Sequence, residues 1–158
     1  MKPQSPYTEE QQRHIDFAAQ FNLDPFHITQ VIVVRNDIRQ KMRYGKLSAQ
    51  VSHASMAAFN SGAKVVTKDN GEIVYEVPLT DPVKQVWIEC AFAKVVLKCD
   101  DEDHLMAVTE KAKLAGLPTA LITDAGRTVF NEPTPTCVGI GPVTIESLEG
   151  ITDDLKLY

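Results

Sequence analysis

Two short stretches carry side chains whose types and spacing suit acyl or phosphate chemistry. The first, Gly45–Asn60 (GKLSAQVSHASMAAFN), is rich in alanine and reads as a helix. At the helical repeat, Lys46, Gln50 and His53 fall within about 60° of one another. Leu47, Val51, Ala54 and Ala58 form an apolar stripe roughly a right angle away, suited to packing on a sheet. Lys46 is in the first turn, where backbone N–H groups are free and the helix dipole is positive. A cation there opposes helix stability, yet it suits the holding of a phosphate or a developing oxyanion. His53, two turns along the same edge, suits a general base or an orienting hydrogen-bond partner. The second stretch is Asp124-Ala125-Gly126-Arg127-Thr128, directly after the apolar run Pro118–Thr123 (PTALIT). In open α/β sheets, ligands gather at the carboxyl ends of strands. Asp124 at such an end can orient a hydroxyl, a lysine or a water. Arg127 can pair with Asp124 or with a phosphate, and Gly126 permits a tight turn with close ligand approach. Thr128 and Thr136 offer hydroxyls for positioning water or substrate. On these residues alone, the first pattern equally fits a solvent-facing stripe and the second an ordinary turn.

The elements around these stretches must position them. Residues 1–27 read as a polar leader, in which Thr8 and Gln11 form a capping box for a short helix reaching Gln20. Thr29–Arg35 (TQVIVVR) is a β-branched run suited to a buried strand, and it opens a body covering residues 28–158. Residues 64–77 (KVVTKDNGEIVYEV) place two β-rich arms around Asp69-Asn70-Gly71, a hairpin insertion. Asp81 caps a short helix, Pro82–Cys90, with proline at its first position. Ala93–Lys98 is a strand, Asp101–Ala115 a helix ended at Gly116, and Thr136–Ile140 a further strand closed by Gly141-Pro142. A turn or short helix follows at Ile145–Gly150, then the tail Leu155–Tyr158. Strands alternating with helices predict an α/β fold with a central sheet covered on both faces.

Composition narrows the function classes. The 158 residues are 44% apolar and 23% charged, which fits a single soluble globular domain. No apolar run reaches the roughly 18–20 residues of a membrane span, and the N-terminus lacks a secretory pattern. The three cysteines, Cys90, Cys99 and Cys137, have neither C-x-x-C nor zinc spacing, which fits a reducing cytosol. The four histidines, His14, His27, His53 and His104, lack metal-ligand companions, so no metal is expected. Sixteen Lys and Arg against twenty-one Asp and Glu leave a net charge of −5, which argues against nucleic-acid binding by most of the surface. Between Arg35 and Lys46, however, five cations face a single anion, Asp37. This segment reads either as a solvated loop or as a phosphate-facing edge on an acidic body.

Taken in order, these blocks resemble a type-two peptidyl-tRNA hydrolase, the archaeal and eukaryotic class. The resemblance rests on VIVVRNDI at 31–38, GKLSAQVSHA at 45–54 and KVVLK at 94–98. It continues through AKLAGLPTALITDAGRT at 112–128, TCVGIGP at 136–142 and LKLY at 155–158. It implies a mixed, about four-stranded sheet between helices, a homodimer in the cytoplasm, and no metal or organic cofactor. The implied activity is hydrolysis of the ester joining a peptide to the terminal ribose of tRNA, with the acceptor end as the contacted part. Carried over by motif, Lys46, His53, Asp124 and Thr128 fall at catalytic positions. Arg35, Arg43, Gln50, Arg127 and Thr136 are assigned to the substrate. Water would attack the ester carbonyl, with Asp124 and His53 positioning it and Lys46 stabilising the negative charge. The chain departs from the family's usual form in a longer loop at 36–45, in Tyr44 before the glycine, in the insertion and in the leader. Two other readings stay open: a non-catalytic module that binds tRNA or protein, and a hydrolase of another acylated RNA or a small ester.

Overall fold

The structure, a computed structural model, describes residues 6–158. At its centre is β1 (Ile28–Arg35), all eight residues of which are buried. The run alternates between two covered faces, which is why it is apolar on both. Parallel to β1 is β4 (Lys94–Cys99), and antiparallel on its other side is β6 (Thr134–Thr144). Next to β6 is β5 (Thr119–Asp124), and beyond β4 is the short β7 (Lys156–Leu157), so the sheet order is β5-β6-β1-β4-β7.

Helix α2 (Tyr44–Phe59) lies over one face, where Ile32 and Val34 pack with Met42, Ala54, Phe130 and Cys137. Helix α4 (Glu102–Leu114) covers the opposite face. There Val31 and Val33 meet Leu105, Val108 and Ala112, together with Val138 and Ile140 of β6. Between Phe59 and α4, β2 (Lys64–Thr67) and β3 (Ile73–Glu76) pair antiparallel as a separate two-stranded sheet. A third cluster joins Ala18 of α1 (Glu9–Ala19) to Ile28 and to Val86 and Trp87 of α3 (Pro82–Glu89). The capping box on α1 is formed, with Thr8 and Gln11 each accepting from the other's backbone N–H. The fold is the expected three-layer α/β sandwich.

Two details differ from the sequence reading. The sheet has five strands rather than about four. The fifth, β7 (Lys156–Leu157), is two residues long and pairs with Leu97 and Lys98, too short to show a period. β6 also runs on to Thr144 instead of closing at Gly141-Pro142. Gly141, at φ +95°, lets the strand bulge where its register on β1 shifts, so pairing resumes beyond the proline.

α2 and β6 approach each other closely. Gly139 faces the helix, and a Cβ there would collide with the carbonyl of Ala54 and press on the Ala58 methyl. Glycine at this position, with alanines opposite, sets the distance between helix and sheet. Gly45, in the first turn of α2, has open space around it. Thermal unfolding of Gly139→Ala should therefore show a loss of about 1–3 kcal/mol from overpacking. Gly45→Ala should be neutral or gain up to about 1 kcal/mol, as expected for a helical glycine. Equal behaviour of the two variants would contradict this packing.

Candidate active site

α2 begins at Tyr44, and its cap residue, Arg43, makes no side-chain bond to the free N–H groups of the first turn. An arginine has no acceptor to offer them, so this helix end stays electropositive. Lys46 extends from that turn to the end of β5. There its Nζ donates to Asp124 Oδ2 and, at 3.1 Å, to Thr128 Oγ1. One turn later, Gln50 Nε2 donates to the same Asp124 oxygen at 3.1 Å. The backbone N–H of Gly126 donates to Asp124 Oδ1 at 3.0 Å. The buried carboxylate is thus met by two side chains from the helix and one amide from its own turn.

Gln50 is itself buried, and its amide can point only one way. A carboxylate only accepts, so Nε2 faces Asp124 and Oε1 turns back to β6. There the Thr136 hydroxyl donates to Oε1 at 2.5 Å, with the Ile122 carbonyl at 3.2 Å as its second neighbour. Cys137 Sγ also donates weakly to the Gln50 carbonyl at 3.4 Å. Lys46, Gln50, Asp124, Thr128 and Thr136 form one connected network from three regions of the chain.

The remaining expected residues are placed differently. His53 is exposed on the same edge and makes no hydrogen bond to Asp124, although it lies near enough to influence the carboxylate. Arg127 is exposed and does not pair with Asp124, whose cation is Lys46. Arg35 is on the α4 face, with its guanidinium taken up by Asp37 at 2.7 Å, Glu102 at 2.5 Å and the Pro135 carbonyl at 2.9 Å. It ties the end of β1 to the start of α4, and the structure does not bring it to the network. Arg43 is exposed at the head of α2.

Sequence reasoning missed Phe130, whose buried ring has Lys46 Nζ at 5.9 Å and Lys41 Nζ at 5.8 Å from its centroid. Its only signal was an aromatic residue two positions beyond the turn. It also missed how tightly Gly126 is held: φ is +75°, and a Cβ would come within 2.6 Å of the Glu132 backbone. Among the described residues, no three His, Cys, Asp or Glu side chains gather as a metal site would need.

The hydrogen bond from Lys46 holds the Asp124 carboxyl below the usual carboxylate range. Burial opposes this, while the Gly126 N–H and the charges of Lys46 and His53 reinforce it. Asp124 is therefore a charged acceptor that orients donors, and a weak base. Lys46 uses two of its three N–H donors on Asp124 and Thr128, leaving one for an incoming oxygen. Such a fixed cation beside free helix N–H groups can stabilise an oxyanion without reorganising when charge develops.

Comparison with known families matches residues 28–158 to Peptidyl-tRNA hydrolase PTH2. The chain is 43% identical over 128 residues to a protein of Methanopyrus kandleri named peptidyl-tRNA hydrolase, covering 81% of this chain and 96% of that one. It is 34% identical over 155 residues to human peptidyl-tRNA hydrolase 2, mitochondrial, covering 97% of this chain and 78% of the human protein. A Halobacterium salinarum peptidyl-tRNA hydrolase is 40% identical over 129 residues, covering 82% and 98% respectively.

A depressed carboxyl contributes stability above its unfolded pKa, near 3.9, and that contribution fades as pH falls through the lower folded value. Melting temperatures of the wild type and Asp124→Asn, compared from pH 7 down to about pH 2, should differ most above about pH 4. The gap should narrow steadily below it. A gap independent of pH would mean that the carboxylate's charge is not what the network uses.

Proposed function

The chain belongs to the peptidyl-tRNA hydrolase PTH2 family, and from that membership we propose that it hydrolyses the ester between a peptide, or an N-blocked aminoacyl group, and tRNA. The observation that carries the reading is the convergence of Lys46, Gln50, Asp124, Thr128 and Thr136 in one network at the carboxyl end of β5. In this mechanism the free donor of Lys46 takes the carbonyl oxygen of the ester, whose negative charge grows as water adds. Asp124 holds Lys46 in place, and Gln50, locked by Thr136, keeps Asp124 from rotating away. Thr128, exposed beside Lys46, orients the attacking water. The exposed imidazole of His53 lies on the same helix edge and relays the proton from that water towards the departing ribose oxygen.

The charge distribution supports a small RNA footprint. The chain carries −5 overall, while Arg39, Lys41 and Arg43 cluster ahead of Lys46. Contact limited to the acceptor end fits that distribution better than a grip along the tRNA body. Arg43 and Arg127, both exposed, are the cations we assign to its phosphates. We place the reaction in the cytoplasm, with the chain working as a homodimer, as the family resemblance implies. No helix among the described residues is long and apolar enough to cross a membrane.

The decisive assay follows release of a labelled acyl group from N-acetylated aminoacyl-tRNA and, in parallel, from free aminoacyl-tRNA. Selective cleavage of the acetylated form is expected. Binding of tRNA without cleavage of either would instead make the chain a binding module built on the family's fold.

A further inference from the structure

A second concavity lies beside the network and is not used in the ester chemistry above. This cleft, of about 340 Å³, is lined by Arg39, Gln40, Arg43, Tyr44, Leu47 and Tyr158. Tyr158 closes it on the β4 side, through a backbone bond to Val96 at 3.0 Å. Asp124 is at the end of β5, with β6 and β1 between the two strands, so cleft and network flank the head of α2 on opposite sides.

Tyr44 is the first residue of α2 and is 87% exposed. Among the described residues, no ring or cation stacks on it, so its ring contributes little to folding. An aromatic residue in water at a helix start is a feature that packing does not explain. The cations beside it are equally unspent. Arg35 is neutralised by Asp37 and Glu102, whereas Arg39 and Arg43 form no ion pair among the described residues. Arg39 lies over the Tyr158 ring at 5.8 Å, which props its guanidinium at the cleft wall. The cleft therefore joins an open aromatic face to two uncompensated arginines and an apolar floor at Met42 and Leu47. Stacking rings flanked by cations are how proteins hold unpaired nucleotides.

We propose that this cleft is a nucleotide subsite, in which the Tyr44 ring stacks a base of the substrate's single-stranded 3′ end and Arg39 and Arg43 take the adjoining phosphates. The inference rests on the hydrolase reading and adds where the strand runs. Lys46 is two residues from Tyr44, so a base stacked on Tyr44 precedes the terminal ribose, whose ester reaches the far flank of the helix. The loop joining β1 to α2 supplies both Arg39 and Arg43.

Steady-state hydrolysis of N-acetylated aminoacyl-tRNA by Tyr44→Ala should show KM raised about ten-fold with kcat little changed, the scale of one lost base stack. Tyr44→Phe should restore KM, because stacking needs the ring and not the hydroxyl. Arg39→Ala should raise KM and flatten its salt dependence. Fluorescence anisotropy with a labelled single-stranded RNA ending in CCA provides the direct arm, with the same losses expected and a blunt duplex as the comparison. Unchanged KM and unchanged oligonucleotide binding in Tyr44→Ala would overturn the subsite while leaving the hydrolase reading intact. A phenylalanine variant no better than alanine would overturn the stacking role. If the wild type binds the oligonucleotide through Tyr44 but cleaves no ester, the subsite stands and the hydrolase reading fails.

Discussion

The Asp124 carboxylate is buried at the end of a strand, and much of the structure follows from what that burial demands. A charge out of water costs several kcal/mol unless every lone pair is met. The turn supplies one donor, the Gly126 N–H, and the rest come from α2 as Lys46 and Gln50. They can reach only if the helix lies close on β6, which a glycine at 139 facing Ala54 and Ala58 permits. Gln50 in turn needs Thr136 behind it, so the strand that seats the helix also orients its amide. Site geometry and core packing are therefore one constraint: a methyl group added at the helix–sheet contact would move the donors off the carboxylate.

This coupling explains what was legible in the sequence. The β-branched run at 29–35, the Thr8–Gln11 box and the Gly116 stop each depend on neighbours a few residues away, and each led to the right element. The Lys46–Gln50 edge was visible as a stripe, because helical periodicity is itself local. That Lys46, rather than Arg127, pairs with Asp124 was not visible, since it depends on two elements 78 residues apart meeting at one oxygen. Arg35 misled for a related reason. Its charge counted towards the basic loop, but alternation along β1 turns its side chain to the other face of the sheet, where Glu102 waits. The two-residue β7 was invisible because it exists only through its pairing with β4.

The same logic arranges charge over the surface. An acidic protein that handles a polyanion must confine its attraction to a patch. Here Asp37, within the basic loop, and Asp124, beside Lys46, are both held by cations and present little free negative charge to a phosphate. What remains open around the head of α2 is a set of donors: arginines without an ion pair among the described residues, free helix N–H groups and one direction of the Lys46 ammonium. Such a patch attracts an anionic strand end without requiring the whole molecule to be basic, and its field is short-ranged at physiological salt.

If Lys46 and Asp124 act as one unit in ester hydrolysis, a double-mutant cycle will reveal their coupling. kcat/KM for N-acetylated aminoacyl-tRNA would be measured for the wild type, Lys46→Ala, Asp124→Ala and the double variant. Each single change should cost about a hundred-fold or more, the scale of losing a fixed electrostatic stabiliser. The double variant should lose little beyond the worse single, because removing either partner already dismantles the pair. Losses that multiply, or near-normal turnover by Asp124→Ala, would mean that the two side chains do not act as a pair.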